Sequence, residues 1–342
     1  MGYIGKSIPQ YDSHLKVTGT ATYAFDIELA GMLFAKLVTS PHAHARIVQI
    51  DTSKALTVPG VVAVATGPEF PFRLGIYVGD RDVLAVDKVR WVGHPVAAVI
   101  AESLEAAERG MDQVEVEYEP LPAVFSPAES LKPNAHIIHE KMSEYRVSPA
   151  FKPIPGTNVA NQFKLVRGDA ERAFQESDVI VEGEFDIPHV SHGFMELQSI
   201  VADYKKDGTV EIWTSTQSPF STRYLMALSL GIPVNRIIIK APLCGGGFGG
   251  KVGIGWEPLV ALLSKKAGYK PVKLVLSRKE QFCSAPVREG FHASVKAGFK
   301  KDGKLFAYKA RFVMDAGGYA DYTVNVCRAA GVLRSVSQLL RA

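Results

Sequence analysis

The sequence predicts an α+β protein, on three observations. Within the first 125 residues, apolar runs of strand length are broken by one capped helix. Two Asp-Gly pairs, Asp207-Gly208 and Asp302-Gly303, stand between strand-like runs, where they favour tight antiparallel hairpins. Between those hairpins a strand, a helix and a second strand bracket the segment Gly245-Gly246-Gly247-Phe248-Gly249-Gly250-Lys251.

Residues 1–16 form a polar arm. From 17 to 125, Leu33 to Thr39, Val61 to Ala65 and Pro95 to Ala101 read as buried strands. Ser103 is placed to cap a helix that starts at Leu104, with Glu105 in its first turn, Ala106 and Ala107 as strong helix formers, and Gly110 near its end. A strand over Gln113 to Tyr118 follows. Residues 126–160 carry Pro127, Pro133, Pro149, Pro153 and Pro155 with little periodicity, the composition of a linker. In the remainder, 161–342, a short helix is expected over Asp169 to Glu176 and a strand over Val179 to Ile187. A strand over Val210 to Trp213 leads through a polar run to a helix starting near Phe220. Arg236 to Lys240 is a strand, Trp256 to Ala267 a helix ended by Gly268, and Pro271 to Leu276 a strand.

Of the 342 residues, 47% are hydrophobic and 22% charged, which excludes a largely disordered, collagen-like or disulfide-scaffold chain. The net charge of +4, spread without a basic tail, argues only weakly for nucleic acid, and no nucleic-acid partner is expected. Apolar stretches such as Val96 to Ala101 fall far short of the roughly 18 residues a membrane span needs, and MGYIGKSIPQ has no apolar signal-peptide centre. A cytoplasmic chain with no membrane span is therefore expected. Cys244, Cys283 and Cys327 show no CxxC pairing, so neither a disulfide framework nor an iron–sulfur ligand set is offered, and any such cluster belongs to a partner.

The glycine segment follows a strand and precedes a helix, a place where backbone amides approach an anion because no Cβ stands in the way. It satisfies GxGxxG and nearly satisfies GxxxxGK[ST]. A P-loop needs a hydroxyl after the lysine, and Val252 stands there; a dinucleotide fold wants an acid about 20 residues on, where Ser264, Lys265 and Lys266 lie. A tight structural turn is the simpler alternative, but Phe248 interrupts the glycines and sets a flat ring beside exposed amides. His189-x-x-His192 with Glu196 has metal-ligand spacing only on a helix, which Pro188 and Gly193 oppose. His42 and His44 share a face but lack a third ligand, and there is no GxSxG elbow. In the polar run, whose simplest role is helix capping, Gln217 offers an amide donor to an oxyanion or oxo ligand.

Val17-Thr18-Gly19-Thr20-Ala21 with Tyr23 and Asp26, then Ser40-Pro41-His42-Ala43-His44-Ala45-Arg46-Ile47, then Pro59-Gly60-Val61 come in one order along the chain. Lys88-Val89-Arg90-Trp91-Val92-Gly93-His94-Pro95-Val96, Val116-Glu117-Tyr118-Glu119-Pro120-Leu121-Pro122, Thr216-Gln217 and GGGFGGK continue that order. Together these segments resemble the large, molybdenum-binding subunit of the xanthine dehydrogenase and aldehyde oxidase family, over nearly the whole chain. The resemblance implies an N-terminal α/β hammerhead domain followed by the first part of a molybdopterin-binding α+β domain. It also implies hydroxylation of an aldehyde, an N-heterocycle or a similar small molecule with oxygen from water, the electrons leaving through 2Fe-2S clusters and FAD on partner subunits.

By that resemblance Gln217 matches the glutamine whose amide meets an oxo ligand of molybdenum. Gly247, Phe248, Gly249 and Gly250 match the loop against the molybdopterin, a dinucleotide form, with Phe248 shaping the substrate pocket and Gly249 presenting its amide. Val252 stands where xanthine dehydrogenases carry a purine-gripping glutamate, which favours an aldehyde-oxidase-like pocket. No residue of this chain takes the role of catalytic general base or direct metal ligand. Family subunits are longer, and after Asp315-Ala316-Gly317-Gly318-Tyr319-Ala320-Asp321-Tyr322 the tail Val332 to Ala342 departs from the pattern. The expectation is a subunit completed by a second chain that carries the C-terminal half, alongside iron–sulfur and FAD subunits. The alternatives are a truncated, non-catalytic chain that keeps the fold or assists assembly, a carbon monoxide dehydrogenase or hydroxybenzoyl-CoA reductase relative, and, last, a nucleotide-dependent phosphotransferase.

Overall fold

In the computed structural model, residues 2–70 and 72–328 are described; the unfamiliar tail Val332 to Ala342 lies outside them. A seven-stranded sheet forms the centre, in the order Ile237–Lys240, Val210–Thr214, Ser199–Tyr204, Val272–Val275, Leu33–Thr39, Pro95–Ala101 and Val61–Thr66. Pro95–Ala101 is buried at every position, as a continuous apolar run flanked by strands on both sides should be. The strands from the two ends of the sequence meet where Leu33 pairs in parallel with Val272 and Ala35 with Leu274.

Helix Leu104–Met111 starts where the sequence places it, with Ser103 Oγ accepting the Ala106 N–H at 3.1 Å. Gly110 serves packing rather than termination, because a Cβ there would come within 2.7 Å of Val61 and 2.9 Å of Val99. The amides of Gln113 and Val114 bond back to Gly110 and Met111, so the next strand begins at Glu115 and runs to Pro120. It pairs with Ala45–Asp51, a strand the sequence reading leaves out.

Helices Pro219–Leu230 and Glu257–Lys266 bury Leu225, Met226, Leu259, Val260 and Leu263 in the core they share with the large sheet. Each such side chain contributes about 1.5–3 kcal/mol by leaving water. Strands Ile237–Lys240 and Val272–Val275 run in one direction, but the hairpin Ser199–Thr214 lies between them. Both Asp-Gly hairpins form; the second, Phe291–Phe299 with Leu305–Met314, joins Val179–Ile187 in a separate three-stranded sheet. Segment 126–160 is largely irregular and is packed down, with Met142 and Phe151 buried and Val147 bridging to Val78.

Candidate functional site

Two adjacent parallel strands, Val210–Thr214 and Ile237–Lys240, run out at the same edge of the sheet. Ligands gather at the carboxyl ends of such strands, and here the first leads into Thr216-Gln217-Ser218 and the second into the glycine loop. The two are laced together. The Gln217 N–H donates to Lys251 O at 2.9 Å, while Gln217 Oε1 accepts from the N–H groups of Gly249 at 2.9 Å and Lys251 at 3.2 Å. With the oxygen committed, the NH2 is the end of the carboxamide left to donate.

The polar run does more than cap a helix. Ser218 is the N-cap residue of Pro219–Leu230 but makes no side-chain cap; its Oγ instead accepts from the Gly253 N–H at 2.9 Å. Thr216 Oγ1 reaches Lys251 O at 3.3 Å, and Thr222 Oγ1 donates to Gly253 O at 2.7 Å, so hydroxyls hold the far side of the loop.

The amides of Gly246, Gly247 and Phe248, three in succession, have no protein acceptor among the described residues. The Gly249 N–H is taken by Gln217, and the open donors are the three residues before it. Phe248 holds a left-handed backbone at φ +50 and is 73% exposed, a conformation that costs a non-glycine residue energy. Gly247 is obligatory in another way, since a Cβ there would stand 2.3 Å from Gln217 Oε1. Gly250 faces inward, against His192 and Phe194. Val252 is half-buried and borders a cavity of about 20 Å³, room for one water, together with Gln198 and Ser215.

Lys251 explains why the P-loop likeness is superficial. Its side chain, 1% exposed, turns under the loop to Glu196 Oε2 at 2.7 Å instead of reaching outward to a phosphate. Glu196 is thus the partner of a buried lysine; a charged residue inside the apolar run Phe194-Met195-Glu196-Leu197 is the signal that points to it. His189 and His192 lie in a loop, and among the described residues no three His, Cys, Asp or Glu side chains gather as metal ligands. A cavity of about 650 Å³ lies elsewhere, bordered by Trp91, Phe125, Phe163 and Arg311, and shares no residue with the loop.

Two family models match the chain. One, the molybdopterin cofactor-binding domain, covers residues 151–335; the other, the aldehyde oxidase and xanthine dehydrogenase a/b hammerhead domain, covers 18–122. A probable xanthine dehydrogenase subunit of Bacillus subtilis is 36% identical over 311 residues, 90% of this chain and 40% of its own length. The nicotinate dehydrogenase large molybdopterin subunit of Eubacterium barkeri is 33% identical over 93% of this chain and 72% of its own length. The solved CO dehydrogenase of Oligotropha carboxidovorans superposes with a TM-score of 0.81 at 30% identity, covering 90% of this chain and 39% of that one. This chain thus spans about 40% of the length of several relatives. With an α+β fold, both domain models matched and this loop at the strand ends, the chain belongs to the xanthine dehydrogenase and aldehyde oxidase family, as part of its molybdenum-binding large subunit.

Proposed function

We propose that the glycine loop and Gln217 hold the molybdenum-bearing end of a molybdopterin cofactor, in a dinucleotide form, within an enzyme that hydroxylates an aldehyde, an N-heterocycle or a similar small molecule. The supporting observation is the donor set: three successive amides without a protein acceptor beside a carboxamide whose oxygen is already occupied. Such donors suit a group that carries oxo and phosphate oxygens. When bound, that group supplies two-electron oxidation with oxygen drawn from water, passing the electrons to 2Fe-2S clusters and FAD on partner subunits.

This chain's residues bind and orient. Gly246, Gly247 and Phe248 present N–H donors, Gln217 adds its NH2, and Gly249 holds Gln217 in place. Gly250 lets the turn close against His192. The exposed Phe248 ring offers an apolar surface to substrate, and Val252, half-buried behind the loop, supplies an apolar side chain where a charged one would favour a purine. Glu196, the carboxylate bonded to the loop, is held as the counterion of Lys251 through Oε2, while its Oε1 is buried without a partner and turned away from solvent; we assign the proton-accepting base to polypeptide outside residues 1–342, on a second chain if the subunit is split. Among the described residues no helix is long and apolar enough to cross a membrane. A cytoplasmic setting is part of the proposal, in keeping with three free thiols at Cys244, Cys283 and Cys327.

Gln217→Ala tests the reading. Turnover per bound molybdenum in the assembled enzyme is expected to fall about 100-fold, the scale for removing one preorganised donor, a larger effect than the loss of stability from the unpaired Gly249 and Lys251 amides. Full turnover at full molybdenum content would rule the assignment out.

A further inference from the structure

Glu196 lies 49 residues before Gly245 and 55 before Lys251, yet a single oxygen of its carboxylate meets both ends of the glycine loop. Oε2 accepts the Gly245 N–H at 2.7 Å where the loop begins and Lys251 Nζ at 2.7 Å where it ends. Lys251 Nζ also donates to the Glu196 backbone oxygen at 3.0 Å and stands 4.6 Å from the centroid of the Phe194 ring. Both side chains are out of water, 8% exposed for Glu196 and 1% for Lys251. The backbone lies hard against the acid, since a Cβ on Gly245 would approach Glu196 Cβ to 2.6 Å. Lys251 in turn grips Gln217 through its own backbone, giving its N–H to Oε1 and receiving the Gln217 N–H.

We propose that the buried Glu196–Lys251 pair is a staple that closes the glycine loop and fixes the direction of the Gln217 carboxamide. The inference deepens the function proposed above and rests on it. Glu196 and Lys251 are positioning residues: neither touches cofactor or substrate, and each acts through Gln217 and the loop amides. A buried pair of this kind is a costly way to gain stability, because two charges must leave water. It is an effective way to hold one geometry, because both partners have their bonding directions fixed.

Removing one charge would strand the other, so the informative variant is the double substitution Glu196→Gln with Lys251→Met, which removes both charges at similar volume. Glu196→Gln alone keeps an oxygen for the Gly245 N–H but leaves the buried Lys251 charge without its counterion, and serves as the second variant, with an effect at least as large. The enzyme is purified with its accompanying subunits, and three quantities are measured: amide hydrogen exchange, molybdenum content, and turnover per bound molybdenum. Exchange within residues 245–251 is expected to speed up about tenfold or more while strand Pro95–Ala101 keeps its protection. Turnover per bound molybdenum is expected to fall in the same variants.

Unchanged exchange in the loop would overturn the staple. Equal acceleration in the central sheet would also overturn it, showing a general stability role. A loosened loop with full turnover per molybdenum would sever the pair from Gln217. If the parent enzyme itself contains no molybdenum, the proposed function fails, while the exchange comparison still decides the staple.

Discussion

Phe248 and Gly247 show how much of the site is decided by single side chains. Phe248 keeps a glycine-like backbone without being glycine, and its ring folds back so that a Cβ on Gly246 would lie 3.2 Å from it. Gly247 has no need of positive φ; it must be small because the Gln217 carboxamide fills its Cβ space. Gly247→Ala should therefore displace the Gln217 carboxamide from its bonds to Gly249 and Lys251 while leaving the strands in place. Its melting temperature should stay within a few degrees of the parent's, while turnover per molybdenum falls as far as in Gln217→Ala; a normal rate would contradict the contact. The glycine run and Gln217 are legible in the sequence because glycine and amide chemistry are local. The Glu196–Lys251 pair is not, since nothing local joins residues 55 apart, and Glu196 instead suggests a His-x-x-His metal pattern that a loop cannot form.

At the level of elements, local chemistry and tertiary context divide the work. Helix Leu104–Met111 follows its signals: a serine cap, an acid in the first turn and alanines on the buried face. Ser103→Ala is expected to destabilise the chain by about 1 kcal/mol, the usual worth of an N-cap, measured by urea unfolding; no loss would mean the Ala106 amide finds another acceptor. Ser218 occupies the same position on its own helix, yet its hydroxyl is drawn to Gly253. Strand Ala45–Asp51 is hard to read because only Ala45 is fully buried and one of its two neighbours, Lys88–Val89, is only two residues long. Pro95–Ala101 is easy to read because every position is apolar and buried.

For the whole molecule, electrostatics records how the parts close on one another. Asp80 is buried where the Tyr77–Val78 stretch, segment 126–160 and the turn at Ala320 meet, and its carboxyl is raised from 3.8 to about 7. Burial is the main cause; the Ala320 N–H opposes it, and Asp321 adds to it. The folded chain therefore keeps a proton that the unfolded chain releases near 3.8, so stability from this group declines as pH rises through that window, at up to about 1.4 kcal/mol per pH unit. His139, lowered to about 4 by burial, pulls the other way, as do His44 and His94, and all three cancel when a variant is compared with its parent. Asp80→Asn should gain more stability over the parent at pH 8 than at pH 4, by denaturant unfolding at both. An equal difference at the two pH values would show that Asp80 does not hold its proton.

The parallel pairing of Leu33 with Val272 carries a consequence for biogenesis. About 240 residues separate the partners, and closing so long a loop delays assembly. During synthesis, strand Leu33–Thr39 leaves the ribosome early and can gain Pro95–Ala101 on one side, but its other edge stays open until Val272–Val275 emerges. Until Val272–Val275 emerges the nascent chain thus carries a bare apolar sheet edge, the feature that recruits chaperones and invites aggregation. The strands beneath the glycine loop join the N-terminal half through the same late pairing, so the loop's platform is complete only once that edge is covered.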